Sequence, residues 1–126
     1  MLPESQIKTF LREVLKRTNE KKIAWTSERD DDQQFELDEE PVGYPATTKL
    51  SGKYLRITQV KYKYWTDEDR YTWDGRVVLD FVDFDGRLLW RFPPNPLIPD
   101  IYEVVRLSAS GIEGAIEDFL SGEDED

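Results

Sequence analysis

Apolar residues recur with a helical period at the start of the chain and alternate with polar ones through its middle. Over residues 4–18, ESQIKTFLREVLKRT, the residues Ile7, Phe10, Leu11, Val14 and Leu15 fall at i, i+3, i+4, i+7 and i+8. That spacing predicts one helix with a single apolar stripe, and Lys8, Arg12, Lys16 and Arg17 take its other sides. Pro3 suits the first turn of such a helix. KKIAWTSE, residues 21–28, reads as a short strand. The acidic run ERDDDQQFELDEE then leads into PVGYP, which reads as a long, exposed loop.

Residues 53–65, KYLRITQVKYKYW, and 70–84, RYTWDGRVVLDFVDF, read as two strands joined by the charged turn TDED. In the first, Leu55 and Ile57 share one parity while Val60, Tyr62 and Tyr64 share the other; in the second, Tyr71, Trp73, Val77, Leu79 and Phe81 share one parity. A β-bulge at Thr58-Gln59 reconciles the two, pairing Tyr62 with Trp73, Lys61 with Asp74, Ile57 with Val77 and Leu55 with Leu79, with Gly75 opposite Val60. The next hairpin is expected to close on Asp85-Gly86 as a two-residue turn, with Asp85 in the left-handed conformation. Phe81 then faces Trp90, Leu79 faces Phe92, Val82 faces Leu89 and Asp80 faces Arg91.

The proline-rich PPNPLIP, residues 93–99, is excluded from a central strand and reads as a stiff connector. A final helix is expected from Asp100 to Leu120, with Asp100 and Glu103 as a capping box, and with Gly111 and Gly114 each weakening it by about 1 kcal/mol relative to alanine. Its apolar side comprises Ile101, Val104, Val105, Ile112, Ala115, Ile116 and Phe119. The fold class that follows is α+β: a two-layer sandwich in which an antiparallel, three- to four-stranded β-meander carries the N- and C-terminal helices on one face, in the order α-β-β-β-β-α. One domain is expected over residues 1–120, with a disordered acidic tail at 121–126. The other sheet face, with Tyr54, Arg56, Val78, Asp80, Val82, Phe84, Leu89 and Arg91, is expected to be open.

Composition removes several kinds of chemistry. The chain of 126 residues contains neither cysteine nor histidine. Thiolate nucleophiles, thiolate metal sites, disulfides and the usual near-neutral general base are therefore absent. The opening residues lack the pattern of a secretory signal, and no apolar run approaches the roughly 20 residues that cross a bilayer, so a cytoplasmic protein without membrane contact is expected. The net charge of −10 is unevenly spread. Residues 28–40 hold eight acids and one arginine, and residues 100–126 hold nine acids and one arginine. Long-range repulsion argues against nucleic acid as a partner.

The aspartates Asp80, Asp83 and Asp85 before Gly86 do not form an EF-hand, because Phe81 and Phe92 occupy the first and twelfth positions of the only fitting frame. VKYKYW interleaves lysine with aromatics as a nucleic-acid surface does, but it reads equally as an ordinary strand. Pro93, Pro96 and Pro99 have the polyproline period, yet Trp90 stands where an SH3 ligand carries a base. No phosphate-binding glycine loop and no activated serine or threonine is present. No enzyme activity, cofactor or metal is expected.

A non-catalytic module that binds a basic protein surface is the expectation: an adaptor, an inhibitor or an immunity-like binder. Its contact residues would be the loop carboxylates Asp30, Asp31, Asp32, Asp38, Glu39 and Glu40, with the sheet anchors Tyr54, Val82, Phe84 and Leu89. Two alternatives use the same features. In one, acids spaced like phosphates mimic nucleic acid and occupy a DNA- or RNA-binding cleft; in the other, the open sheet face pairs two copies in a homodimer.

Overall fold

A computed structural model of the chain describes residues 2–27 and 33–122. Helix α1 spans Glu4–Asn19. Its first turn is closed by the Pro3 carbonyl, which accepts from the Gln6 and Ile7 amides at 3.1 Å. At its far end the buried Thr18 hydroxyl donates to Val14 O at 2.7 Å and accepts from the Trp25 indole at 3.1 Å. This contact folds the chain back toward the first strand. Six strands follow: β1 (Thr26–Ser27), β2 (Glu39–Pro41), β3 (Ala46–Leu50), β4 (Lys53–Trp65), β5 (Tyr71–Val82) and β6 (Leu88–Arg91). Two helices close the described chain, α2 (Leu97–Ser110) and α3 (Ile112–Ser121).

The sheet is antiparallel, in the order β1-β3-β4-β5-β6, so the strand after α1 lies outside β3. The stretch read as a featureless loop contributes β2, which pairs with β4 on the same edge as β3 but farther along it. The expected fold class holds, with six strands rather than three or four. Leu11 and Val14 of α1 and Ile98, Ile101 and Val105 of α2 pack with Leu55, Ile57, Leu79 and Phe92 as the core between the helices and one sheet face.

Three local expectations are corrected. The β4–β5 register runs without interruption from Tyr54 opposite Val82 to Trp65 opposite Tyr71, so Thr58-Gln59 carries no bulge. Leu55 meets Phe81, Ile57 meets Leu79, Val60 meets Arg76, Lys61 meets Gly75 and Tyr62 meets Asp74. The parity change in β4 arises because both its faces are buried there: Leu55 and Ile57 on one, Arg56, Thr58 and Val60 on the other. The irregularity lies in the neighbouring edge instead. Residues 42–45 bridge only two positions of β4, with Gly43 left-handed and the Val42 amide on Gln59 O at 2.7 Å.

The β5–β6 hairpin keeps Asp80 opposite Arg91 and Phe81 opposite Trp90, but Val82 then meets Leu88, leaving Leu89 as a bulge. Asp83 is the turn former: its carboxylate accepts from the Asp85 and Arg87 amides at 2.9 Å. Gly86, and not Asp85, holds the left-handed conformation, at φ 84°. A side chain at Gly86 would also collide with Gln33, whose Nε2 lies 2.9 Å from where a Cβ would sit. The long terminal helix is two helices. Asn95 accepts from the Leu97 amide at 2.9 Å, starting α2 three residues early, and Gly111 at φ 73° ends it. Pro99 is accommodated because it falls in the first turn of α2.

The sheet face expected to be open is closed across its centre. Residues 33–38 cross it as a strap before β2 joins the sheet edge, and Arg56, Val78, Asp80 and Val82 are buried on that face. Arg56 Nη2 donates to Asp80 Oδ2 at 2.8 Å, and neither side chain reaches solvent. Gln33 Oε1 and Gln34 O each accept from the Arg56 guanidinium at 2.8 Å, and the Phe35 ring lies 4.0 Å from it. Arg91 donates to Asp80 Oδ1 at 2.7 Å and to both oxygens of Glu39. Removing one member of a buried ion pair strands the other and costs about 3–5 kcal/mol. Asp80→Asn, which keeps the volume but leaves two guanidiniums facing a neutral group, should lower the unfolding free energy by about that much in urea titration. A loss under about 1 kcal/mol, the range of an exposed pair, would show that the network is solvated.

Candidate functional site

The residues expected to form one acidic and apolar contact surface are dispersed. Asp30, Asp31 and Asp32 lie outside the described residues. Asp38 is exposed, in a left-handed turn at φ 64°. Glu40 is exposed and pairs with Lys61 at 3.5 Å. Glu39 points inward: its side chain is 2 % exposed and is held by Arg91 at 2.7 Å and Arg76 at 3.0 Å. Its carboxylate is structural and is not offered to a partner. Val82 is buried and reaches the surface only at the floor of a depression between its neighbours. Phe84 is 81 % exposed, and with Leu89 and the half-buried Tyr54 it borders a shallow depression whose other walls include Lys49, Lys53 and Asp83. Three of the four apolar anchors therefore stay accessible, at one corner of the sheet.

Two larger surfaces carry features that alternation alone did not reveal. The first is the outer half of the β4–β5 hairpin, which extends beyond the core. Its helix-side face bears Lys61, Lys63 and Trp65 from β4 with Tyr71 and Trp73 from β5, because odd positions of both strands share a face in the observed register. Lys61 Nζ lies 4.7 Å from the Trp73 ring and Lys63 Nζ lies 4.9 Å from the Tyr71 ring. Trp65 packs on Tyr71 at 5.0 Å, and Tyr71 meets Trp73 edge-on at 5.9 Å. The tyrosines of VKYKYW stand on the opposite face, where the Tyr62 hydroxyl donates to Asp74 at 3.1 Å. That hydrogen bond, to an anion, holds the Tyr62 phenol above the usual tyrosine range. The rings are tilted against one another and capped by ammonium groups, so they form no flat platform for bases.

The second surface is α3. None of its side chains is buried, and Ile112, Ile116, Phe119 and Leu120 are all at least 45 % exposed. They recur at i, i+4, i+7 and i+8, which is one face of a helix. Its charged residues, Glu113, Glu117 and Asp118, are all acidic, and Glu113 contacts Lys21 at 3.7 Å. The apolar period was visible in the sequence. Its separation from α2 was not, because the period continues across Gly111 and only the left-handed conformation there divides the two helices.

The polyproline reading is not met: Pro96 is helical at φ −58°, ψ −22°, and Pro99 lies within α2. Among the described residues no group of three or more acidic side chains is arranged to hold a metal ion, and no helix is long and apolar enough to cross a membrane. Compared with protein-family models, with curated proteins and with solved structures, the chain matches none.

Glu39 gives the site a pH signature. Burial pushes its carboxyl up, but hydrogen bonds from Arg91 and Arg76 outweigh burial and hold it below the usual glutamate range. A depressed folded pKa contributes stability that is complete above the unfolded value, near 4.5, and is lost as pH falls through the folded value. The stability gap between the native chain and Glu39→Gln should be widest at neutral pH and shrink below about pH 4.5. Urea titrations of both chains at pH 7 and at about pH 3 check this; a gap that is constant with pH would mean that the Glu39 charge is not what the network uses.

Proposed function

We propose that the chain is a small, acidic, non-catalytic protein-interaction module that docks α3 into an apolar groove with a basic rim on its partner. The observation that carries this reading is the exposed apolar face of α3 beside exclusively acidic charge. Ten residues are fewer than the roughly 12–15 at which an isolated helix becomes even marginally stable. Gly114 costs about 1 kcal/mol relative to alanine in the helix interior. Glu117 and Asp118 lie toward the carbonyl end, where the helix dipole disfavours anions and no basic residue offsets them. The apolar stripe is what remains to stabilise α3, and it does so only when covered. Helix-in-groove recognition uses this i, i+4, i+7, i+8 pattern. The surrounding carboxylates favour a groove lined by lysine or arginine and speed the encounter.

This reading replaces the closed sheet face with α3 as the apolar contact, and it keeps the basic partner. In the free chain the α3 amides should exchange hydrogen within seconds while those around Leu55, Ile57 and Leu79 stay protected, because the helix lacks a partner and these parts of β4 and β5 lie in the core. Capture from the native host's extract on the full chain should retain a basic protein that elutes as salt rises. Phe119→Asp, which leaves the core untouched, should abolish its retention. A basic protein held equally well by Phe119→Asp would remove α3 from the contact.

A further inference from the structure

The open edge of β5 points to a second binding site. Strand β6 ends at Arg91, the Phe92 amide makes one more bond to Leu79 O at 3.0 Å, and the chain then leaves the sheet at Pro93. No strand among the described residues pairs with Tyr71–Val78 on that side. Because Leu79 O faces outward, the other odd positions, Tyr71, Trp73, Gly75 and Val77, also direct their N–H and C=O groups outward. The bond from Thr66 N to Arg70 O agrees, since it places the even positions toward β4. Such an edge is a template for another strand.

We infer that this edge pairs antiparallel with the same edge of a second copy, with Trp73 opposite Trp73 on the two-fold axis. Three centres bring outward-facing odd positions together over a useful length. Centring on Gly75 would put residue 71 of the partner opposite Leu79, where Phe92 already sits. Centring on Asp74 would place two aspartates directly opposite, in the closer type of antiparallel pair, and like charges there repel. Centring on Trp73 avoids both. It sets Thr72 opposite Asp74, hydroxyl to carboxylate, and Tyr71 opposite Gly75. At Gly75 a Cβ would meet only Val60 O, at 3.5 Å, so the gap between Trp73 and Val77 is free for the incoming tyrosine ring. Aromatic residues stabilise strand glycines in this way.

Five residues from each copy make a small interface, so the dimer is weak and depends on concentration. The paired segment carries a single charge, Asp74, while each chain carries −10. Salt should therefore strengthen this association by screening the net repulsion, the opposite of its effect on a basic partner. The two sites are thus separable, and this inference does not rest on α3.

Sedimentation of the native chain tests it, at about 0.02 and 0.2 M salt and up to about 0.5 mM chain. A monomer–dimer equilibrium that tightens with salt is expected. The chain has no cysteine, so single thiols report the register. Trp73→Cys should crosslink to its twin with a reagent spanning about 6 Å, the separation of directly opposed residues. Gly75→Cys should not, because its twin lies four residues away along the pair, about 13 Å. Circular dichroism confirms that each variant is folded. A native chain that stays monomeric throughout overturns the inference, and so does crosslinking at Gly75 without crosslinking at Trp73.

Discussion

An arginine and an aspartate shut away from water, Arg56 and Asp80, account for much of how this chain is arranged. Taking both ions out of solvent costs several kcal/mol each, which their attraction offsets only with good geometry and with partners for the remaining donors and acceptors. The strap supplies those partners. Gln33 and Gln34 accept from Arg56, Phe35 covers its guanidinium, and Glu39 meets Arg91, the second cation on Asp80. Burial lowers the Arg56 pKa even beside Asp80, whereas Arg91, with two carboxylates against the same penalty, is raised. The offset is incomplete, since Arg56 Nε is buried without a partner. Such a network does more to fix one arrangement of the strap than to raise net stability. It also determines which face of the sheet is lost to partners.

How far the fold was legible follows from the range of each signal. The α1 stripe and the β4 and β5 strands are local patterns, and they appear where the period places them. The pairing of Asp80 with Arg91 was legible too, because it sits within one hairpin. The β4 register was misread for a definite reason. A parity change signals a bulge only if one face is buried, and here Arg56 and Thr58 are buried as polar residues on the second face. Nothing in the alternation distinguishes an arginine facing water from one facing Asp80. The same blindness made Glu39 look like a surface acid, for its two cations stand 37 and 52 residues away.

The candidate site was legible only as composition. An acidic protein with surplus apolar residues was evident, but not where those residues meet solvent. Val82 and Phe84 share a parity in the sequence, yet Val82 ends β5 as a buried residue and Phe84 lies exposed in the hairpin turn. Gly111 looked like a weak point within one helix and is the junction that leaves α3 with its own uncovered face. In both cases contacts distant in sequence, or one backbone angle, decided the outcome.

The exposed half of the β4–β5 hairpin shows how such a surface is kept in check. Unpaired strand edges invite indiscriminate pairing, and proteins blunt them with charge and with local hydrogen bonds. Asp74 does both: its Oδ1 accepts from the outward Gly75 amide at 2.8 Å while its Oδ2 holds the Tyr62 hydroxyl. A strand arriving out of register must displace that carboxylate and receives nothing for it. One arriving with a hydroxyl opposite Asp74 and a ring over Gly75 replaces what it removes. Lys61 and Lys63, laid across Trp73 and Tyr71, keep ammonium groups over the aromatic face so that greasy surfaces find it partly hydrated. A strand of matching pattern is thereby favoured over one that leaves the Gly75 amide and the Asp74 carboxylate without partners.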